Sequence, residues 1–299
     1  MQISPNIVPD ILADLQQSQT TLNTALQQVA TGLSVNVPSD NPTASAEFVQ
    51  NTIETADADQ YTQNISTVLA NVESASSVLN DVVSSLTQAV SLGTEGANGT
   101  NTTANLQAIA TEVQGLLSTV VSEANTSVAG SYLFGGTGTT TPYTVDASSA
   151  TGYAYNGNDG TTSVAVGDNL NVQVSLPGSQ IFSAASNNVL GSLSSLVTAL
   201  QSGNTADIAT ATSAVSSAIG YIGQQQTFYG NAEGQLNAQE TFLQQDTVSL
   251  ATQATNLVGV NEATAATNLS QAETDNSAAL AAAAKILPNT LLSFLEPPT

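Results

Sequence analysis

Ile208, Val215, Ile222, Tyr229, Leu236, Leu243, Leu250 and Leu257 recur at every seventh position. An apolar residue every seven positions returns to the same stripe of an α-helix after two turns, whereas a strand repeats every two. A chain carrying this row must build a long helix there and bury the stripe against other helices. The row beside it, Ala211, Ala218, Gln225, Ala232, Gln239, Asp246 and Gln253, is small or polar. The apolar face is therefore a single narrow seam, and Tyr229 within it reads as core filling.

Other segments repeat the pattern. Val8, Leu12, Leu15, Gln19, Leu22, Leu26, Val29 and Leu33 alternate in steps of four and three, a heptad seam with one polar member. A lone polar seam residue commonly fixes register. Gly32 and the stretch from Val37 to Pro42 end that helix, and Asn41-Pro42 reads as N-cap and first residue of the next. The second helix carries Ile65, Val68, Val72, Ala75, Leu79, Val82, Leu86 and Ala89 and stops in the turn-rich run from Gly93 to Gly99. A third presents Leu106, Ile109, Val113, Leu116 and Val120. After Val260 the pattern continues through Ala266, Leu269, Leu280, Ala283 and Leu287, and Pro288 is expected to kink or break the final turn.

From about Gly130 the period changes to two. Tyr153 and Tyr155, then Leu170, Val172, Val174 and Leu176, alternate as strand residues do, and Asn156-Gly157 and Asp159-Gly160 are hairpin-turn dipeptides. Residues 131–183 read as a small β insertion of three to five strands, ending at Pro177-Gly178. The fold class expected is mainly α with a small inserted β domain, a long antiparallel helical bundle or coiled-coil rod. Residues 1–41 and 260–299 would be the two halves of a terminal coiled-coil domain. Residues 42–130 and 184–259 would form a helical rod domain, with 131–183 inserted in it. Antiparallel pairing of the two end segments would bring the termini to one tip.

Composition removes most chemistry. Among 299 residues there is one lysine, Lys285, no arginine, histidine or cysteine, and 23 acidic residues, a net charge of -22. Such a chain does not neutralise phosphates, which argues against nucleic acid and anionic membrane surfaces as partners. Disulfides, thiolate metal sites and imidazole acid–base chemistry are ruled out by the missing residue types. No cofactor or metal is expected, and no segment is apolar and long enough for membrane insertion. The start, Met1-Gln2-Ile3-Ser4-Pro5, lacks the basic and apolar regions of a cleaved signal peptide. Carboxylates such as Glu54, Asp57, Asp59 and Glu73 fall on helix flanks and read as solvated faces. A carboxylate-based hydrolase in the β insertion would have only Asp146, Asp159 and Asp168 to work with. Asn156, Asn158, Asp159 and Asp168 lack the spacing of a calcium loop, and Gly135-Gly136-Thr137-Gly138 lacks the Gly-Lys-Ser/Thr ending of a phosphate loop.

The apolar ends carry the functional signal. Leu12, Leu15, Leu22, Leu26 and Val29 at one end and Leu269, Leu280, Leu287, Leu291, Phe294 and Leu295 at the other are candidate assembly residues. Short helices are marginal alone, so these segments would gain order by packing on other copies or partners.

Thr31-Gly32-Leu33-Ser34-Val35-Asn36 followed by Pro38-Ser39-Asp40-Asn41-Pro42 resembles the N-terminal motif of the flagellin superfamily, with Gly32, Asn36, Asp40, Asn41 and Pro42 as its matching positions. The segment from Ala284 to Leu295 is similar to the matching C-terminal motif. Gly130-Ser131-Tyr132-Leu133-Phe134-Gly135-Gly136, Pro142-Tyr143, Tyr155-Asn156-Gly157 and Pro177-Gly178-Ser179-Gln180-Ile181-Phe182 resemble the insertion of the hook–filament junction proteins of that superfamily. The resemblance implies a non-enzymatic, extracellular subunit of the bacterial flagellum, exported without a cleaved signal peptide. Its implied partners are other copies in a ring-like homo-oligomer, the first hook-associated protein, flagellin and a cytoplasmic export chaperone. The alternative is a short flagellin that forms the filament itself. One departure stands out: Leu33-Ser34 occupy positions where flagellin-like chains usually carry an arginine.

Overall fold

The computed structural model describes residues 7–149, 151–185 and 187–295, with backbone alone for residues 7, 8 and 286–295. The helices are α1 (Ile7–Thr31), α2 (Pro42–Gly96), α3 (Thr103–Ala124), α4 (Gly178–Ile181), α5 (Val189–Ser202), α6 (Thr205–Val258) and α7 (Glu262–Leu295). Between α3 and α4 lie β1 (Ser127–Val128), β2 (Ser131–Tyr132), β3 (Tyr143–Val145), β4 (Tyr153–Tyr155), β5 (Ser163–Gly167) and β6 (Leu170–Gln173). The chain divides into two compact units, residues 58–244 and residues 1–57 with 245–299, and α2 and α6 contribute to both.

In the unit of residues 58–244, the seven-residue row of α6 is buried from Ile208 to Leu243, and so are Ile65, Val72, Leu79, Val82 and Leu86 of α2. Leu106, Ile109, Val113, Leu117 and Val120 turn inward from α3, which packs on α5. Thr102 Oγ1 accepts from Asn105 N at 3.3 Å and Asn188 Oδ1 from Gly191 N at 2.7 Å, capping α3 and α5. Gly203, at φ 74°, closes α5 and separates it from α6, a break that the periodicity alone does not reveal. Gly96 of α2 lies so close to α5 that a Cβ there would collide with Leu200 Cδ2.

The insertion has six strands among the described residues, more than the three to five expected, and they form three separate antiparallel pairs. The first pair begins at Ser127, ahead of the expected start, and turns through Ala129 and Gly130, both at positive φ. The pairs are joined by side chains. Phe134 meets Phe182 edge-on at 5.2 Å, and the Tyr143 hydroxyl donates to Gly178 O at 2.8 Å. The Asn158 side chain holds Thr137 N and Gly160 N, each at 2.9 Å, so the glycine-rich run is a turn folded around one asparagine. The insertion is also anchored to helices. Tyr61 of α2 donates to Asp168 at 3.0 Å, Asn64 Nδ2 to Ala165 O at 3.2 Å, and Leu176 N to the buried Tyr229 hydroxyl at 3.3 Å.

In the other unit, the end of α1 and the start of α7 meet at an antiparallel bridge between Leu33 and Gly259, and the two helices pack along each other. The backbone of α7 stays helical across Pro288 to Leu295, so of the expected kink or break it shows no break. A proline removes one backbone donor and costs roughly 3 kcal/mol, which a long helix tolerates at one point.

Candidate functional site: the terminal coiled coil

The buried seam of this unit differs by one position from the periodicity reading. Along α1 the inward residues are Ile11, Leu15, Ser18, Leu22 and Ala25, and along α7 they are Ala265, Leu269, Ala272, Asn276, Ala279 and Ala283. Both rows step by four and three, as a heptad seam requires. On α1 the seam thus takes Ile11, Ser18 and Ala25 in place of Leu12, Gln19 and Leu26. The physical reason is the partner. The α7 seam is mostly alanine, with Ala265, Ala272, Ala279 and Ala283 inward, so the larger Ile11, Leu15 and Leu22 of α1 face small partners and the seam needs no further leucine.

The candidate assembly residues therefore separate into two groups. Leu15, Leu22 and Leu269 are half-buried in the α1–α7 seam. Leu12, Leu26 and Leu280 stand outside it, 50%, 45% and 52% exposed, and Val29 is exposed as well. Each of those three leucines directly follows a seam residue, Ile11, Ala25 or Ala279, and so lies about 100° around its helix. In an antiparallel pair the same offset on both helices puts these leucines on one side. The side chains of Leu287, Leu291, Phe294 and Leu295 lie outside the described residues. Beside the seam, Gln17, Thr21, Thr24, Gln28, Gln271 and Asp275 line a groove of about 380 Å³ that is almost wholly uncharged. Charge is sparse here: α1 has no ionisable residue after Asp14, and Lys285 is exposed on α7. Two seam groups, Ser18 Oγ and Asn276 Nδ2, are buried with no hydrogen-bond partner, and Asn276 is only 6% exposed.

The motif positions converge on one loop. Gly32 ends α1 at φ 71°, its N–H donating to Gln28 O at 3.0 Å. The Thr31 hydroxyl lies 2.8 Å from both Gln27 O and Asn36 Oδ1, and Asn36 Nδ2 donates to Leu33 O at 3.1 Å. The Asp40 carboxylate accepts from Asn36 N at 3.0 Å and Val37 N at 3.1 Å. Asn41 Oδ1 then caps α2 by accepting from Ala44 N at 3.1 Å, with Pro42 as the first helical residue. The loop is fastened to the α6–α7 joint through Ser34 N and Val260 N, which donate to Val258 O at 2.7 Å and Gly32 O at 3.0 Å. Ser34 also reaches Val258 O with its hydroxyl, at 3.1 Å, so the residue standing where an arginine was expected serves a backbone clasp. Further along, Asn51 of α2 donates to Leu250 O of α6 at 3.0 Å in a buried position. Asn51, Ser18 and Asn276 are polar residues that apolar periodicity does not single out. Their only sequence signal is that they fall on the seam once its true register is known.

Residues 6–139 match the family model of the bacterial flagellin N-terminal helical region. No curated protein sequence matches the chain. Among solved structures, a flagellar hook-associated protein of Vibrio parahaemolyticus superposes with a TM-score of 0.67 at 20% identity, covering 74% of this chain and 100% of that one. The fold is that of the flagellar hook-associated proteins. The FlgL of Bacillus cereus shares it at a TM-score of 0.59 and 23% identity, covering 69% of this chain and 99% of its own. The flagellar junction protein FlgL of Legionella pneumophila does so at 0.60 and 14%, covering 71% and 100%. Within the hook-associated fold, the polar residues of the insertion have structural partners. Asn156 Nδ2 donates to Thr144 Oγ1 at 2.7 Å, Asp159 accepts from Ser179 and Asp168 from Tyr61.

Proposed function

We propose that this chain is a structural adaptor subunit of the bacterial flagellum, joining the hook, through the first hook-associated protein, to the flagellin filament. It assembles with other copies as a ring through its N- and C-terminal helices and acts outside the cell without catalysing a reaction. The observation that carries the reading is the terminal coiled coil. Its α1–α7 seam is thin and its exposed side holds Leu12, Leu26 and Leu280, an apolar strip that neighbouring subunits would cover. The flagellin-type N-terminal region and the likeness to hook-associated and junction proteins support the place of assembly. Export without a cleaved signal peptide, with a cytoplasmic chaperone holding the end segments, fits the same picture.

A short flagellin forming the filament is the second reading, favoured by the match of residues 6–139 alone. Deleting the gene separates the two. The adaptor role predicts complete hooks, no filaments and flagellin shed into the medium, with the protein confined to one layer at the hook. Filaments of normal length in the deletion strain overturn it, and labelling along the whole filament selects the flagellin reading.

A further inference from the structure

The chain contains two Asn-Gly dipeptides, Asn98-Gly99 and Asn156-Gly157, in very different surroundings. An asparagine before glycine can attack itself chemically. The glycine amide nitrogen, unshielded by a Cβ, adds to the asparagine side-chain carbonyl carbon if the backbone can bring them together.

Asn98 sits in the exposed turn between α2 and α3. Its Oδ1 accepts from Thr100 N at 3.3 Å and from Thr100 Oγ1 at 3.0 Å. Those two donors polarise the side-chain carbonyl and make its carbon more electrophilic. Among the described residues no hydrogen bond holds Asn98 Nδ2 or Gly99 N, the leaving group and the nucleophile. Open space surrounds Gly99, where a Cβ would meet nothing within 4 Å. Asn156 is the opposite case. Its Nδ2 donates to Thr144 Oγ1 at 2.7 Å, its N–H to Pro142 O at 2.7 Å, and its carbonyl accepts from Thr140 Oγ1 at 3.1 Å. Gly157 is hemmed in by the Tyr155 ring and Gly135 O.

We infer that Asn98 is a self-modification site, deamidating through a succinimide formed with Gly99, and that Asn156 is protected. Gly99 N loses its proton and bonds to Asn98 Cγ, and the Cγ–Nδ2 bond breaks to release ammonia. Water then opens the ring at either carbonyl, leaving an aspartate or a β-linked isoaspartate at position 98. The net exchange is one water in and one ammonia out, with no oxidation or reduction. The product adds a negative charge to the α2–α3 turn, and the β-linked form lengthens its backbone by one atom.

The test incubates the full-length protein in mildly alkaline buffer and maps peptides by mass spectrometry, each conversion adding about one mass unit. Conversion at Asn98 is expected at least about tenfold faster than at Asn156. Equal rates, faster loss of Asn156, or no conversion at Asn98 overturns the inference. Asn98→Gln and Gly99→Ala should each abolish the fast conversion, while Asn156→Gln leaves it unchanged. Gly99→Ala fits the open space, so helicity by circular dichroism should match the parent. Persistence of the fast conversion in that variant also overturns the inference.

Discussion

Ser34 N–H and Val258 O lie 2.7 Å apart, two residues separated by 224 positions in the chain. This bond clasps the loop that starts α2 to the joint that ends α6, and the motif around it exists to hold that loop in shape. Asp40 is the keystone, since its carboxylate satisfies two backbone amides that would otherwise be open. Asp40→Ala should destabilise the terminal unit by about 1–2 kcal/mol, the usual cost of losing a charge-assisted cap. Hydrogen exchange at Asn36 and Val37 should accelerate, while exchange in α3 and α5 stays unchanged. Unaltered protection at Asn36 and Val37 would count against the role given to Asp40.

The two groups of leucines give different variants. Leu22→Asp places a charge in the α1–α7 seam, so it should lose both the helix pair and assembly. Leu26→Asp and Leu280→Asp change exposed positions, so they should retain the monomer's helicity and its folding stability within about 0.5 kcal/mol and still fail to assemble. Motility and junction formation read the second property, circular dichroism the first. Normal junctions in the Leu26→Asp, Leu280→Asp double variant would remove the apolar strip from the proposed assembly surface.

Glu123 of α3 has a buried Oε2 without a hydrogen-bond partner. Burial, with the negative charge of Asp81 acting in the same direction, raises its pKa from 4.5 to about 7. A carboxyl whose folded pKa is raised contributes stability that is fully present below the unfolded value and is lost as pH rises through the folded one. Stability should therefore fall between pH 4.5 and about 7. Glu123→Gln should flatten that part of the profile and stabilise the protein at neutral pH by about 1 kcal/mol, the share left after solvent screening of a partly exposed group. Thermal melts of both proteins across this range check it, and parallel profiles would refute it.

With a net charge of -22, copies brought together repel one another. Screening reaches about 30 Å at 0.01 M salt but only about 10 Å at 0.1 M. Assembly should therefore weaken as salt is lowered, measurable by light scattering or sedimentation. Salt-independent assembly would show that the charges stay clear of the contact.

The helical unit of residues 58–244 was legible because its seams are filled by large apolar residues. Ile208 through Leu243 are buried as their spacing indicates, and so is the row from Ile65 to Ala89 except for the half-buried Val68. The terminal coiled coil was less so. Where alanine, serine and asparagine form the seam, hydrophobicity no longer marks it, and the leucines of α1 suggest a stripe one position off. The motif positions could be named from the sequence, but their work could not. Asp40, Asn36 and Ser34 act through backbone amides and carbonyls that only the folded loop brings within reach. In the insertion the alternation marked strands, but the expected hairpin-turn dipeptides Asn156-Gly157 and Asp159-Gly160 lie in the connection between β4 and β5, which do not pair, and the hairpins turn instead between Val145 and Tyr153 and between Gly167 and Leu170.

Lys285, exposed on α7, is the only basic residue in the chain. A protease that requires lysine or arginine thus has one place to cut. Cleavage there severs the segment carrying Leu287, Leu291, Phe294 and Leu295 from everything before it. On the assembly proposed above, trypsin sensitivity would serve as a one-site footprint of the C-terminal end, expected to fall when a neighbour covers it.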